Sequence, residues 1–348
     1  MNSMKKQRIA WIDVAKALLI TCVIVTHLPA FAQQNGITCF NWMECLRPWF
    51  GSYFMCAFFI ITGYCDAMRG SFGNLFVKNL KLLMLPNFLV TIGIPILSYL
   101  VSRQTDPFCY LQATREFFVT GGFWFLSSLF FSKLMFWCIC HAAGNNYIRG
   151  LLCLILLVVG VLLHDMGVTN IWYFQNTLIS VFFLGIGHFL CMLAPIEDRL
   201  IPIGGGKNMK LFYIGTIVYV IIILASICFG FDVPSMSAEL YISLRSLPLF
   251  ILLSFSGSLF CFTIASLLSS NSVLQYIGRE TIVVYLFHMY FLLKVLPAVR
   301  SIFSMSCFSY LAIDIVVGVL LVFATLLFCT VINLILNTKY LKFVLGKF

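Results

Sequence analysis

Three ionisable residues interrupt an otherwise apolar stretch near the start of the chain, RIAWIDVAKALLITCVIVTHLPAF at 8–31: Asp13, Lys16 and His27. Placing an Asp or Lys in hydrocarbon costs roughly 2.5–3.5 kcal/mol, so three such groups in one span need a polar interior to face. On a helix, Asp13 and Lys16 are three apart and can pair. Lys16 and His27 are eleven apart, about three turns plus 20°. Asp13 and His27 are fourteen apart, about 40° short of four turns and roughly 21 Å along the axis. All three therefore line one stripe that runs most of the way through a bilayer. Two readings fit this pattern. One is a functional stripe, the default for intramembrane charge; the other is an Asp–Lys pair serving helix packing, with the histidine bonded to a neighbouring helix. A histidine titrates close to neutral pH, which suits it to taking and returning a proton.

The elements that must hold this stripe are membrane helices. Of 348 residues, 61% are hydrophobic and only 10% charged, with a mean hydropathy of +1.02; no soluble chain of this length has that balance. The first segment is too long and too charged for a cleaved signal peptide and is expected to be retained. Ten spans can be drawn, near 9–31, 48–67, 80–101, 122–141, 149–164, 172–194, 210–231, 243–268, 279–299 and 308–337. The expected fold is all-α, a polytopic transmembrane bundle, with 1–348 forming one domain and no internal repeat. Basic residues such as Lys5, Lys6, Arg8, Arg69, Lys78, Lys81, Arg149, Arg279, Lys339 and Lys342 fall on one side when the N-terminus is placed inside. Arg47, Arg115 and Arg300 fall on the other, diluted by Glu44, Asp232 and Glu239. Both termini are therefore expected to be cytoplasmic. The net charge of +10 reflects this loop bias and anionic lipid contact, not nucleic acid.

Further candidates lie along the chain. Gly63, near the end of the second span, permits close helix approach. Arg8, Arg69, Lys78 and Lys81 could form a basic mouth for a phosphorylated ligand, or could be ordinary positive-inside charge. Pro86 is expected to kink or start the third span. Trp124 follows Gly121 and Gly122 at the fourth span's outer end, at about the depth of His27; it fits an interfacial belt or a stacking surface. Arg245 opens the eighth span and could snorkel or meet a substrate. His188, near the inner end of the sixth span, has no legible direction, whereas His141 and His164 fall at span ends. His288, about 14 Å into the ninth span, must bond something or face a cavity. Asp314 is a buried acid with no legible partner. The fourteen cysteines form no metal-ligand pattern, and no metal is expected. Cys22, Cys56, Cys153, Cys228 and Cys261 read as packing residues. Cys39 and Cys45 share a predicted outer loop and could pair.

These stretches resemble the acyltransferase-3 family of integral-membrane O-acyltransferases. The opening Asp, basic residue three later and His eleven after that is similar to the family's first motif, here Asp13, Lys16 and His27. The resemblance continues at FFIITGY (58–64), the basic run before Pro86, FWFLSSLFF (123–131), FFLGIG (182–187) and IGRETIVVYLFH (277–288). The chain departs at Lys16, where much of the family has Arg, though a branch acting on fucose-like sugars favours Lys. It departs also at Thr62 for Ser and at Asn87, where an aromatic is common. The resemblance implies acyl transfer, most simply of acetyl, from acetyl-CoA to a sugar hydroxyl of a surface polysaccharide or its lipid-linked precursor in the inner membrane. His27 would be the general base or a transient acyl carrier. Asp13 and Lys16 would orient the stripe and hold the donor, together with Arg8, Arg69, Lys78 and Lys81. Trp124, His288 and Arg245 would meet the acceptor. No permanently bound cofactor is expected, and a homo-oligomer is open. The competing readings are a transporter or flippase for a polysaccharide precursor, a succinyltransferase of the same fold, and a non-catalytic partner in polysaccharide assembly. A transporter would more often show inverted repeats, which this sequence lacks.

Overall fold

A backbone crossing lipid must satisfy every N–H and C=O within its own segment, and a helix does so at once. The computed structural model follows that rule. It describes residues 9–37, 40–66, 68, 70–102, 108–193, 209–302 and 311–347, which are overwhelmingly helical: α1 (Ala10–Gln34), α2 (Asn41–Cys65), α3 (Phe72–Asn79), α4 (Leu85–Ser102), α5 (Phe108–Thr120), α6 (Trp124–Ala142), α7 (Asn146–Asp165), α8 (Phe174–Leu193), α9 (Met209–Phe229), α10 (Leu247–Leu267), α11 (Ser272–Arg279), α12 (Thr281–Ile302) and α13 (Leu311–Leu336). Two two-residue strands, Ser235–Met236 and Leu240–Tyr241, pair between α9 and α10. Ten stretches among the described residues are long and apolar enough to span a membrane, as expected from sequence. Lys5, Lys6, Arg8, Cys39 and Arg69 lie outside the described residues, so the basic mouth is described only at Lys78 and Lys81, and a Cys39–Cys45 pairing is not described.

The lipid-facing character is visible in single helices. On α7, Cys153, Leu157, Gly160 and Val161 are buried while Leu151, Leu154, Ile155 and Leu162 are exposed. On α9, Tyr219 is buried whereas Ile214, Ile217, Ile221 and Leu224 are exposed. Exposed aliphatic faces of this extent would be untenable in water. One expectation is corrected here. Cys228 is exposed on α9, so it faces the surroundings instead of packing.

The residues divide into two compact units. The first gathers 1–58, 192–235 and 249–333; the second gathers 59–191, 236–248 and 334–348. In the first unit the sharpest approach is α11 on α1. A Cβ on Gly278 would fall on the Asp13 carbonyl oxygen, so only glycine allows the contact. Asp314, on α13 of the same unit, has a partner: its Oδ1 and Oδ2 accept from the Phe40 N–H at 2.9 and 3.1 Å. Phe40 precedes α2 with φ of +66°, and a carboxylate at a helix N-terminus meets both an orphan donor and the favourable end of the helix dipole.

In the second unit, Gly63 and Gly187 cross reciprocally. A Cβ on Gly63 would collide with the Leu184 carbonyl, and one on Gly187 with the Ile60 carbonyl. This is small-residue packing of α2 on α8, as anticipated for Gly63. Pro86 does not start the third span. The helix already runs from Phe72, with a π-helical stretch over Leu80–Met84 just before the proline. A wider π turn relieves the clash of the proline ring with the preceding turn. Lys78 and Lys81 consequently sit, exposed, on this continuous helical segment.

Candidate active site

In the first unit, α1 carries Asp13, Lys16 and His27. Asp13 is buried, and its two carboxylate oxygens face different cations. Oδ1 lies 3.9 Å from Lys16 Nζ, and Oδ2 lies 3.3 Å from Arg279 Nε. The i,i+3 pair read from sequence is present, but the closer partner comes from α11. The Gly278 contact sets it: the glycine lets α11 touch α1 at Asp13, which brings the next residue's guanidinium onto the carboxylate. Gln275 Oε1 steadies that guanidinium from one turn earlier, at 3.1 Å from Nη2. Two cations around one buried anion leave an excess positive charge, with both cationic side chains partly exposed.

At the other end of α1, His27 and His288 come together. Their ring centroids are 5.2 Å apart with planes at 73°. Each ring has one nitrogen fixed by its own helix. His27 Nδ1 lies 2.7 Å from the Val23 carbonyl and His288 Nδ1 lies 2.9 Å from the Val284 carbonyl. A carbonyl only accepts, so in the neutral ring the proton is on Nδ1 and the lone pair is on Nε2. His288 is buried, and its Nε2 has no hydrogen-bond partner. The two residues, 261 positions apart along the chain, thus form one centre with two Nε2 lone pairs. Such a pair can accept protons from hydroxyl or thiol groups. Pro29 sits inside α1 two residues beyond His27; lacking an N–H, it leaves the Val25 carbonyl without its helical donor.

The second unit holds Trp124, Arg245, Lys78 and Lys81. Trp124 begins α6 after two left-handed glycines, Gly121 (φ +86°) and Gly122 (φ +72°). Asn87 fixes this entry. Its Nδ2 donates to the Gly121 carbonyl at 2.8 Å and to Ser127 Oγ at 3.2 Å, and its Oδ1 accepts from the Phe123 N–H at 3.0 Å and the Thr91 hydroxyl at 3.2 Å. Asn87 is fully buried, and an aromatic there could make none of these bonds. The apparent departure from the family pattern is therefore a clamp on the turn that presents Trp124. Arg245 is exposed in the turn before α10.

Two residues that sequence reading passed over belong in this description. In the sequence Arg279 stands out only as one of the inner-side basic residues, where the ninth span begins. Lys133, in the middle of α6, pairs with Asp66 at 2.8 Å, with side chains only 12% and 21% exposed. The lysine in FFSKL met the same criterion that flagged α1, a charge inside an apolar run, and could have been found by it. Burial alone would raise the Asp66 carboxyl pKa. The Lys133 charge and hydrogen bond, the Met68 N–H and the charge of Lys78 outweigh that and hold it below the ordinary carboxylate value. His188 stacks edge-on against Phe136 at 5.2 Å and is buried with Nδ1 unpartnered.

Ten apolar spans among the described residues, with one buried imidazole beside a half-buried one, make a multi-pass membrane protein with the equipment for proton transfer. Residues 9–334 match the family model described as an acyltransferase domain, that of the acyltransferase-3 type, and the chain belongs to that family. No curated protein and no solved structure matches it significantly.

Proposed function

We propose that this membrane acyltransferase moves an acetyl group from cytoplasmic acetyl-CoA to a sugar hydroxyl of a cell-surface polysaccharide or its lipid-linked precursor, in the inner membrane with both termini cytoplasmic. The observation that carries the reading is the juxtaposition of His27 and His288, each with its Nδ1 against a backbone carbonyl of its own helix. A sugar hydroxyl is a weak nucleophile at neutral pH and needs a base as it attacks. His27 Nε2 takes the hydroxyl proton while the oxygen attacks the thioester carbonyl. The tetrahedral adduct collapses by breaking the C–S bond, and the proton on Nε2 passes to the departing thiolate. The products are the O-acetyl ester and CoA thiol, and His27 ends neutral.

The same geometry favours the base route over an acyl-histidine. Acylating Nε2 while Nδ1–H stays on the Val23 carbonyl leaves a cationic acyl-imidazolium in a half-buried site, because a backbone carbonyl cannot take the proton away. The base route creates its imidazolium only transiently.

The charged end of α1 suits the donor. Lys16 and Arg279 hold Asp13 and retain positive charge for phosphate or the pantetheine amides. The roughly 21 Å rise to His27 then matches a donor entering at one face and reacting near the other. Lys78 and Lys81, with Arg8 and Arg69, would add to the donor's electrostatic attraction. Trp124 and Arg245 would meet the acceptor.

The test is the O-acetyl content of the surface polysaccharide by NMR. It is compared in a strain lacking the protein and in strains restored with the native form or His27→Ala at matched membrane levels. Loss of the acetyl signal in the deletion and in His27→Ala, with polymer still exported, is expected. Unchanged acetylation with polymer retained inside would support a carrier instead, and a succinyl signal in place of acetyl would change the donor.

A further inference from the structure

The His27–His288 centre has more acceptor capacity than one hydroxyl can satisfy. Both rings are pinned through Nδ1 to carbonyls of their own helices, so both Nε2 atoms carry lone pairs. Two lone pairs cannot bond each other, and His288 Nε2 has no partner despite its burial. Among the described residues, no side chain donates to either atom. A buried acceptor left unpaired weakens whatever equilibrium it takes part in by roughly tenfold to a hundredfold. An occupant that relieves both atoms must bring two donors. A lone hydroxyl brings one, and a carboxylate or phosphate brings none.

We propose that the acceptor is a vicinal diol, with one hydroxyl on Nε2 of His27 and its neighbour on Nε2 of His288. This rests on the acyl-transfer reading above and deepens it by naming the acceptor chemistry. The reacting hydroxyl loses its proton to His27 as described. The second hydroxyl keeps its proton, holds the sugar against rotation and pairs the His288 lone pair. A water molecule also has two donors, and the diol would displace any that sits there. A site that hydrogen-bonds a particular hydroxyl rejects the analogue lacking it far more strongly than an apolar pocket rejects a missing methylene.

The test uses the full-length protein in lipid nanodiscs, with acetyl-CoA and three small probes: trans-cyclohexane-1,2-diol, trans-2-methoxycyclohexanol and cyclohexanol. Thiol release gives kcat/KM for each. The diol is expected to be preferred over both mono-alcohols by roughly tenfold to a hundredfold beyond the statistical advantage of its two hydroxyls. In His288→Phe that preference collapses toward unity, because the diol loses more than the mono-alcohols do. His288→Asn retains a side-chain carbonyl acceptor and preserves part of it, which separates the lost bond from a damaged fold. Equal use of the three probes by the native protein overturns the proposal. So does an intact preference in His288→Phe, or transfer to the native glycan with no transfer to the diol. Absence of any His27-dependent thioester consumption, native glycan included, strikes the acyl-transfer reading itself.

Discussion

Replacing Lys133 by methionine should reverse the sign of a pH dependence. In the native protein Asp66 is held ionised by Lys133 at 2.8 Å, and its pKa lies below the ordinary carboxylate value. A depressed folded-state pKa gives stability that is present above the unfolded-state pKa and lost as pH falls through the folded one. Methionine fills similar volume without charge. Asp66 then keeps its burial, the Met68 N–H at 3.3 Å and a more distant Lys78. Burial becomes the dominant influence and raises the pKa above that of the unfolded chain. A carboxyl with a raised pKa is more stable folded when protonated, so stability should now increase as pH falls from about 7 toward 4. Breaking a buried pair by removing one partner costs about 3–5 kcal/mol. Water reaches 21% of the Asp66 side chain, so the lower end of that range is expected near pH 7. The assay is the thermal unfolding midpoint of the purified protein in detergent at several pH values, for the native form, Lys133→Met, and Lys133→Met with Asp66→Asn. The double variant should recover part of the loss and show no slope from this site. A Lys133→Met protein with native stability and native pH slope would refute the account of this pair.

Other substitutions test other joints. Gly278→Ala places a Cβ on the Asp13 carbonyl, where backbone cannot yield without a shift of α11; overpacking of this kind costs about 1–3 kcal/mol. It should also part Arg279 from Asp13 and raise the KM for the acyl donor, measured by thiol release, whereas Gly144→Ala, where nothing lies within 4 Å, should alter neither. Asn87→Leu removes four hydrogen bonds, two of them to the Gly121 carbonyl and the Phe123 N–H at the turn before α6, each worth about 0.5–1.5 kcal/mol net. If the clamp presents Trp124 to the acceptor, the KM for acceptor should rise while that for donor stays near native.

The span pattern was legible because lipid leaves helices as the economical way to satisfy the backbone. Gly63 was legible for a similar reason, since close approach in lipid needs a small residue. Features set by distant contacts were less visible. His27 and His288 each stood out as an intramembrane histidine, but only the packing of α1 with α12 makes them neighbours. Asp314 had no readable partner because its partner is a backbone N–H, which no side chain advertises. Asn87 looked like a weakened match until its four bonds were seen. The amphipathic α11 is eight residues long, too short for a hydropathy window, so Arg279 was read as a boundary and not as the closer partner of Asp13. Of the two roles expected of Pro86, starting the span fell because a π turn ahead of it lets the helix run on from Phe72.

The most direct measurement of the central claim is the initial rate of CoA thiol release by reconstituted protein with acetyl-CoA and the acceptor glycan, for the native form and for His27→Ala. Positioned base catalysis contributes typically 10²–10⁴-fold, so a fall of roughly that size with an unchanged unfolding midpoint is predicted. A His27→Ala protein that releases thiol and acetylates the glycan at the native rate would contradict the assignment of His27 as the base.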